Sequence, residues 1–481
     1  MVFPFRALRA SLSPCIIKAG DGGGRRSAPK RSYQEGEPVM QEKYEKLFYE
    51  FEPQETHWGS WCHSPQAYFR GEQDMPGATL NVGFQVFTEP HRLETEPHFH
   101  REDEYLIFLG ARLPDVFASW DAEVHLYLGP SLDAMEKIVI TEPTIVHVPR
   151  GWWHCPLDFR RIDKPVFFQA ALQSGRFGGV KYVEREDGER ELVYHGDELQ
   201  LCRLDPKKEC NYCGYCHSHP EKLPRPKYTY VPWTVVNEDG VESYSDAGSY
   251  DPEKAPSSMD CVITPDYKSR PYSDAAVLKA PKPALSEEVR RNVLAVPKEK
   301  TSWGAWCPSP QAYFRGETYM EGATYHVGFQ VFTAANDMED THIHQGADEY
   351  IFFMGADPMN IFDFDAEIEM RLGDDPEHME SKIITKPTVV RIPANVWHCP
   401  ILFRKMKKPL VFQAAFMSGT WGTINKVPDG VQIVAPDGDN PRFRKIEYMY
   451  NGDNVRMCRY NPQKRCNICG KCFPQMEVKE D

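Results

Sequence analysis

The chain has 481 residues, of which 41% are hydrophobic and 26% charged, and a formal net charge of -14. That length allows two or three domains with cores of their own. The acidic balance, with no long Lys/Arg stripe, excludes an extended nucleic-acid surface, and no run of about 18 apolar residues is present to span a bilayer. The expectation is a globular cytoplasmic protein that acts on a small-molecule substrate, with no nucleic-acid or membrane partner and with homo-oligomerisation left open.

Residues 1–39 differ from the rest. Arg6, Arg9, Lys18, Arg25, Arg26, Lys30 and Arg31 outnumber Asp21, Glu35 and Glu37 among Ser, Gly and Ala, a composition that does not pack. A disordered basic tail, or a start upstream of the true one at Met40, ranks ahead of an organelle transit sequence, because the acids and a Gly triplet depart from that pattern. Helical patterning first becomes plausible at "MQEKYEKLFYEF".

Residues 40–185 carry short aromatic and β-branched runs, "LNVGFQVF", "EYLIFLG", "EVHLYLG", "KIVITEPTIVHVP" and "PVFFQAAL", punctuated by Gly, Pro and Asp. This spacing predicts antiparallel strands closing into a barrel or sandwich. Residues 186–220 end in a cysteine cluster, and residues 221–300 are rich in Pro, Ser and charge. An extended linker arm is expected there, with a helix only near its end, N-capped by Ser286 before Glu287 and Glu288.

The first unit then returns. "WGSWCHSPQAYFRGEQDMPGATLNVGFQVFTEP" from Trp58 reappears as "WGAWCPSPQAYFRGETYMEGATYHVGFQVFTAA" from Trp303, and "VHVPRGWWHCPLDF" reappears as "VRIPANVWHCPILF". Residues 301–425 are a second barrel, and residues 426–481 repeat the cysteine cluster.

Within the first unit, "EPHFHREDEYLIFLG" puts His98 and His100 on one side of an extended chain, with Glu104 at the same parity. Two imidazoles and a carboxylate suit Fe, Mn, Co, Ni or Zn. A fourth donor, His154, follows the turn "PRGWWH"; His147 is nearby, but Arg391 stands at its place in the second unit. The pattern H-x-H-x3-E-x5-G followed by P-x-G-x2-H resembles the two signature motifs of the cupin superfamily, and the chain resembles a bicupin. The resemblance covers roughly 120 residues of each half. It implies that the two repeated units are tandem jelly-roll barrels, an all-β fold; the small four-cysteine knot that follows each barrel lies outside the resemblance. It also implies one divalent metal on His98, His100, Glu104 and His154 and another on His342, His344, Glu349 and His398, with Fe or Mn favoured over Ni, Co or Zn. Two departures occur in the second copy: one extra residue before Glu349, and Asn395 where the motif has Gly. Asn tolerates positive φ best among residues with a Cβ, so the turn is expected to survive.

A metal-dependent enzyme follows, either an oxidoreductase of dioxygenase type or a lyase, decarboxylase or isomerase. A ligand-sensing or assembly protein that binds metal without catalysis is the alternative. Repeated polar residues within apolar segments, Arg70 and Arg315, Gln85 and Gln330, Gln169 and Gln413, require either a partner inside the fold or a ligand. Arg70, Gln85, Arg315 and Gln330 are the candidate substrate-shaping residues, the two arginines favouring a structural role in their Gly-bounded turns. Trp153 and Trp397 favour packing over walling a pocket, and Cys155 and Cys399 favour the role of small buried apolar groups.

Cys202, Cys210, Cys213 and Cys216 have the spacing C-x7-C-x2-C-x2-C, repeated by Cys458, Cys466, Cys469 and Cys472. Four thiolates close one tetrahedral zinc or one iron-sulfur cluster. The core "CNICGKC" resembles the C-x2-C-G-x-C loop of bacterial ferredoxins, with Cys202 or Cys458 as fourth ligand. Zinc knuckles share C-x2-C-G; the three-cysteine spacing leans to iron-sulfur. Clustered thiols point to a reducing compartment rather than to disulfides.

Overall fold

Strands form where β-branched and aromatic residues run between Gly, Pro and Asp. The computed structural model describes residues 40–55, 60–94, 97–113, 115–184, 190–196, 229–230, 234–237, 240–243, 284–300, 305–339, 341–344, 346–426, 448–452, 457–458 and 461–465. Residues 1–39, to which the tail or targeting segment was assigned, lie outside them.

Each half is a pair of facing antiparallel sheets. In the first, one sheet has the order Val293–Ala295, Thr144–Val148, Glu104–Gly110, Val166–Leu172, Asn81–Phe87, Ala67–Phe69. The other has His91–Glu94, Trp153–Ile162, Ala122–Gly129 and Glu136–Ile140. Phe87, Leu106, Phe108, Leu126, Val146, Phe159 and Phe168 are among the side chains that fill the space between them. The second half repeats the plan, with Thr388–Ile392, Glu349–Gly355, Leu410–Phe416, His326–Phe332 and Gln311–Phe314 adjacent in one sheet. Facing them are Ile401–Met406, Ala366–Gly373, Trp397–His398 and His342–Ile343.

The strand Glu104–Gly110 is buried at every residue. Leu106 and Phe108 face the barrel interior, while Tyr105, Ile107 and Leu109 join a cluster with Phe314, Tyr325, Tyr350 and Phe352 of the second half. A sheet covered on both faces calls for a continuous apolar run rather than alternation, which is why "EYLIFLG" and "EYIFFMG" read as they do.

The halves also exchange their leading strands. Phe48–Glu50, ahead of the first barrel, pairs with Thr388–Ile392 of the second, Phe48 opposite Val390. Val293–Ala295, ahead of the second barrel, pairs with Thr144–Val148 of the first, Val293 opposite Val146. The short helix Glu287–Arg290 precedes that strand, and the Ser286 hydroxyl accepts from the Val289 N–H at 3.2 Å, the cap expected from sequence. Two tyrosines bolt the junction symmetrically: the Tyr105 hydroxyl accepts from the Thr324 N–H at 2.8 Å and the Tyr350 hydroxyl from the Thr79 N–H at 2.7 Å.

Gln169 and Gln413 find their mates in each other. Each side-chain amide donates to the other's oxygen at 3.1 Å, and both residues are buried between the halves. Gln169→Leu is expected to destabilise the protein by about 1–3 kcal/mol, since Gln413 keeps a buried amide without a partner. Replacing both by leucine is expected to recover most of that loss; urea denaturation of the two variants checks it.

Candidate metal centres

The backbone brings the motif histidines together. His98 and His154 pair across the chain, with the His98 N–H donating to His154 O at 3.1 Å and the His154 N–H to His98 O at 2.9 Å; His342 and His398 are aligned in the same way. His100 lies two residues beyond His98, its carbonyl accepting from Gly151 N at 2.8 Å, as His344 O does from Asn395 N at 2.8 Å. Gly151 has φ 78° and Asn395 φ 68°, so asparagine preserves the turn, as its tolerance of the left-handed region predicts.

Glu104 arrives by a different route from the one strand parity suggests. The chain bends after His100, and Glu104 opens a strand of the facing sheet. The second copy absorbs its extra residue beside Gly346, at φ 77°.

All eight residues are buried, none more than 7% exposed. Glu104 Oε2 lies 3.2 Å from His154 Nε2 and 3.5 Å from His100 Nε2. Glu349 Oε2 lies 3.2 Å from His398 Nε2 and 3.3 Å from His344 Nε2. In each triad the ring nitrogens lie within 4.8 Å of one another. The Nδ1 atoms of His100, His344 and His398 meet the carbonyls of Gly178, Gly422 and Val396 at 2.6, 2.8 and 3.1 Å. A carbonyl only accepts, so each Nδ1 carries the proton and Nε2 is left as the donor towards the cluster.

Burial pushes both glutamates towards the neutral acid, but His100 and His154, or His344 and His398, outweigh it and hold the carboxyls well below the usual range. Burial also lowers His154 and His398, keeping them neutral, whereas Glu104 and Glu349 outweigh burial at His100 and His344 and raise them. Each pocket thus pools an ionised carboxylate with imidazoles out of contact with water. Glu104 Oε2 and His398 Nε2 have no hydrogen-bond partner of good geometry, a costly state for buried polar atoms. Donors about 3 Å apart are what two ligands 2.0–2.2 Å from a common ion require near a right angle, so the residues fit a divalent cation.

Two aspartates that sequence reading passed over lock the centres. Asp103 accepts from Arg150 N at 2.9 Å and Asp348 from Ala394 N at 3.0 Å, each gripping the turn that carries the last histidine. His147 belongs to this support: its Nε2 lies 3.6 Å from Asp103, and its ring stacks on Tyr105 at 4.7 Å. Arg391 takes the same part beside Asp348, at 2.7 Å. The repeated "DEY" was the available signal. Burial pushes Asp103 up, but His147, Arg150 N–H and the Thr324 hydroxyl outweigh it and hold its pKa at about 2. Because that is below the ordinary value, the stabilisation is complete above pH ~4 and is lost as pH falls towards 2. Asp103→Asn is expected to destabilise by about 1.5–3 kcal/mol at pH 7, the gap to the parent closing between pH ~4 and 2 in denaturant titrations.

The other candidates lie along the barrel walls. Arg70 donates to Gln54 at 2.5 Å, and Arg315 makes a two-pronged contact with Glu299 at 2.6 to 3.1 Å. Gln85 donates to the Tyr68 hydroxyl at 3.3 Å and Gln330 to the Tyr313 hydroxyl at 2.9 Å, on the strand face that also turns Phe87 and Phe332 inward. Trp153 packs against Phe99, Tyr127 and Met135, and Cys155 and Cys399 are buried thiols. Cys202, Cys210, Cys213, Cys216, Cys466, Cys469 and Cys472 lie outside the described residues, and Cys458 enters only as backbone of the ladder between Met457–Cys458 and Asn461–Arg465. Among the described residues no helix is long and apolar enough to cross a membrane.

No protein-family model and no curated protein matches the chain. Among solved structures it is similar to the oxalate decarboxylase of Lactobacillus farciminis in a formate complex, at 10% identity over 79% of this chain and 88% of that one, with a TM-score of 0.43. It is also similar to the oxalate decarboxylase of Bacillus subtilis at pH 4.6, at 10% identity over 74% and 72% of the two chains, TM-score 0.40. The sheets and donor sets of the chain itself describe a duplicated, mainly β protein with one buried three-histidine, one-glutamate cluster in each half.

Proposed function

We propose that the chain is a metal-dependent enzyme that takes a small, oxygen-bearing anion at its buried centres. The observation that carries this reading is the donor set: three imidazoles and one ionised carboxylate, repeated in both halves and buried inside a barrel. A divalent ion held there, Fe or Mn before Ni, Co or Zn, supplies Lewis-acid polarisation and, for Fe or Mn, one-electron chemistry. Four donors leave positions open on an ion that takes six ligands, and one carboxylate leaves a net positive charge, which favours a carboxylate-bearing substrate.

The protein's own part is orientation and exclusion of water. The carbonyls of Gly178, Gly422 and Val396 fix the imidazole rings, and Asp103 and Asp348 hold the turns that carry His154 and His398. The pairs Gln85–Tyr68 and Gln330–Tyr313 line the interior and are proposed to orient the polar end of the substrate. Arg70 and Arg315, engaged by Gln54 and Glu299, are proposed to brace the wall instead. Each cysteine set is proposed to hold zinc or an iron-sulfur cluster.

The test is metal and sulfide analysis of protein purified without air, followed by incubation with a panel of small carboxylates, oxalate among them, while CO2 release and O2 uptake are followed. Turnover that is lost on combining His154→Ala with His398→Ala supports the reading. Stoichiometric O2 uptake marks the dioxygenase branch, and CO2 release without it marks the decarboxylase branch. Metal bound without turnover of any panel member favours the assembly alternative.

A further inference from the structure

A further carboxylate stands beside the second cluster. Glu339 lies three residues before His342. Its Oε2 lies 3.5 Å from His342 Nε2, the separation that Glu104 keeps from His100 in the first centre. Donor atoms of Glu339, His342 and Cys399 all fall within 4.8 Å of one another, a second grouping that shares His342 with the triad. Glu339 has φ 58°, in the left-handed region that residues with a Cβ seldom enter, and its side chain is 29% exposed where His342 is 2% exposed. The carboxylate therefore reaches the buried cluster from the water side.

We infer that Glu339 is a second carboxylate ligand of the second centre. The inference rests on the reading of the triads as metal centres. With neutral imidazoles, a divalent ion beside Glu349 alone would keep one net positive charge, whereas an ion shared by Glu349 and Glu339 is neutralised. Opposite charge strengthens the hold on the ion, so Glu339 tightens the second centre.

The test is titration of Mn(II) into the metal-free full-length chain, with electron paramagnetic resonance reporting the Mn(II) environments. Wild type is expected to bind two ions. Glu339→Gln, close in shape and partly exposed, is expected to weaken one of them by ~10-fold or more, since altering even a residue that supports a ligand costs about 10- to 100-fold in affinity. His98→Ala is expected to keep the ion that Glu339→Gln weakens and His342→Ala to lose it, which assigns that ion to the second half. Two ions bound in wild type with affinities that Glu339→Gln leaves unchanged would overturn the inference and leave the metal reading standing. Failure of wild type to bind Mn(II) overturns both.

Discussion

Replacing His154 or His398 by alanine is expected to remove one divalent ion per chain, as one donor set in each half implies. These two residues make the shortest approaches to the glutamates, 3.2 Å in both centres. Losing a supporting partner already costs about 10- to 100-fold in metal affinity, so losing a ligand is expected to cost more than ~100-fold. Elemental analysis after dialysis reads this directly, and retention of the parent's full metal content by either variant would sink the ligand assignment. Stability is expected to follow: an ion present at a hundred times its dissociation constant stabilises the native state by about 2.7 kcal/mol per site. A strong chelator should lower the denaturation midpoint of the parent by more than that of either variant.

Arg92→Ala is expected to destabilise the first half by about 3–5 kcal/mol, the usual cost of stranding one member of a buried ion pair. Arg92 Nη2 lies 2.7 Å from Asp158 Oδ2, with the side chains 3% and 6% exposed, and Arg160 adds a contact at 3.2 Å. Burial pushes Asp158 up, but Arg92 and Arg160 outweigh it and hold its carboxyl below the usual range. The second half places Leu402 four residues after His398, where Asp158 stands four after His154, so the barrel can be built without this pair. Arg92→Leu combined with Asp158→Leu is accordingly expected to lie close to the parent at pH 7. Because the folded carboxyl titrates below the unfolded one, the contribution of the pair is full above pH ~4 and fades as pH falls through the folded value. The parent should therefore lose stability relative to the double variant in acid; a parallel decline of both would count against the assignment.

The clustering of the histidines was legible because their spacing is local. His98 and His100 share a side by backbone geometry, and a turn four residues long brings His154 to their level, whether Gly151 or Asn395 supplies the positive φ. Glu104 reaches the cluster by a route that same-strand parity does not give, since the chain bends after His100 and returns in the facing sheet. The supporting aspartates were less legible. Asp103 and Asp348 sit in a repeated "DEY", but nothing in the spacing says that they cap a turn some 45 residues away, at Arg150 and Ala394.

By itself the sequence determined the duplication, the mainly β class and the recurrence of a His/Glu cluster, because each is written in short-range patterns of hydrophobicity, turn chemistry and residue spacing. Only the tertiary structure decided which half each edge strand joins. Phe48–Glu50 and Val293–Ala295 are too short to carry a register of their own, and their pairing follows from the sheet edge that the other half leaves open. Tertiary contact likewise decided that Gln169 and Gln413 satisfy each other, and that Glu339 meets His342. Such contacts depend on where distant segments come to rest, and a buried polar side chain in a sequence states only that it needs a partner.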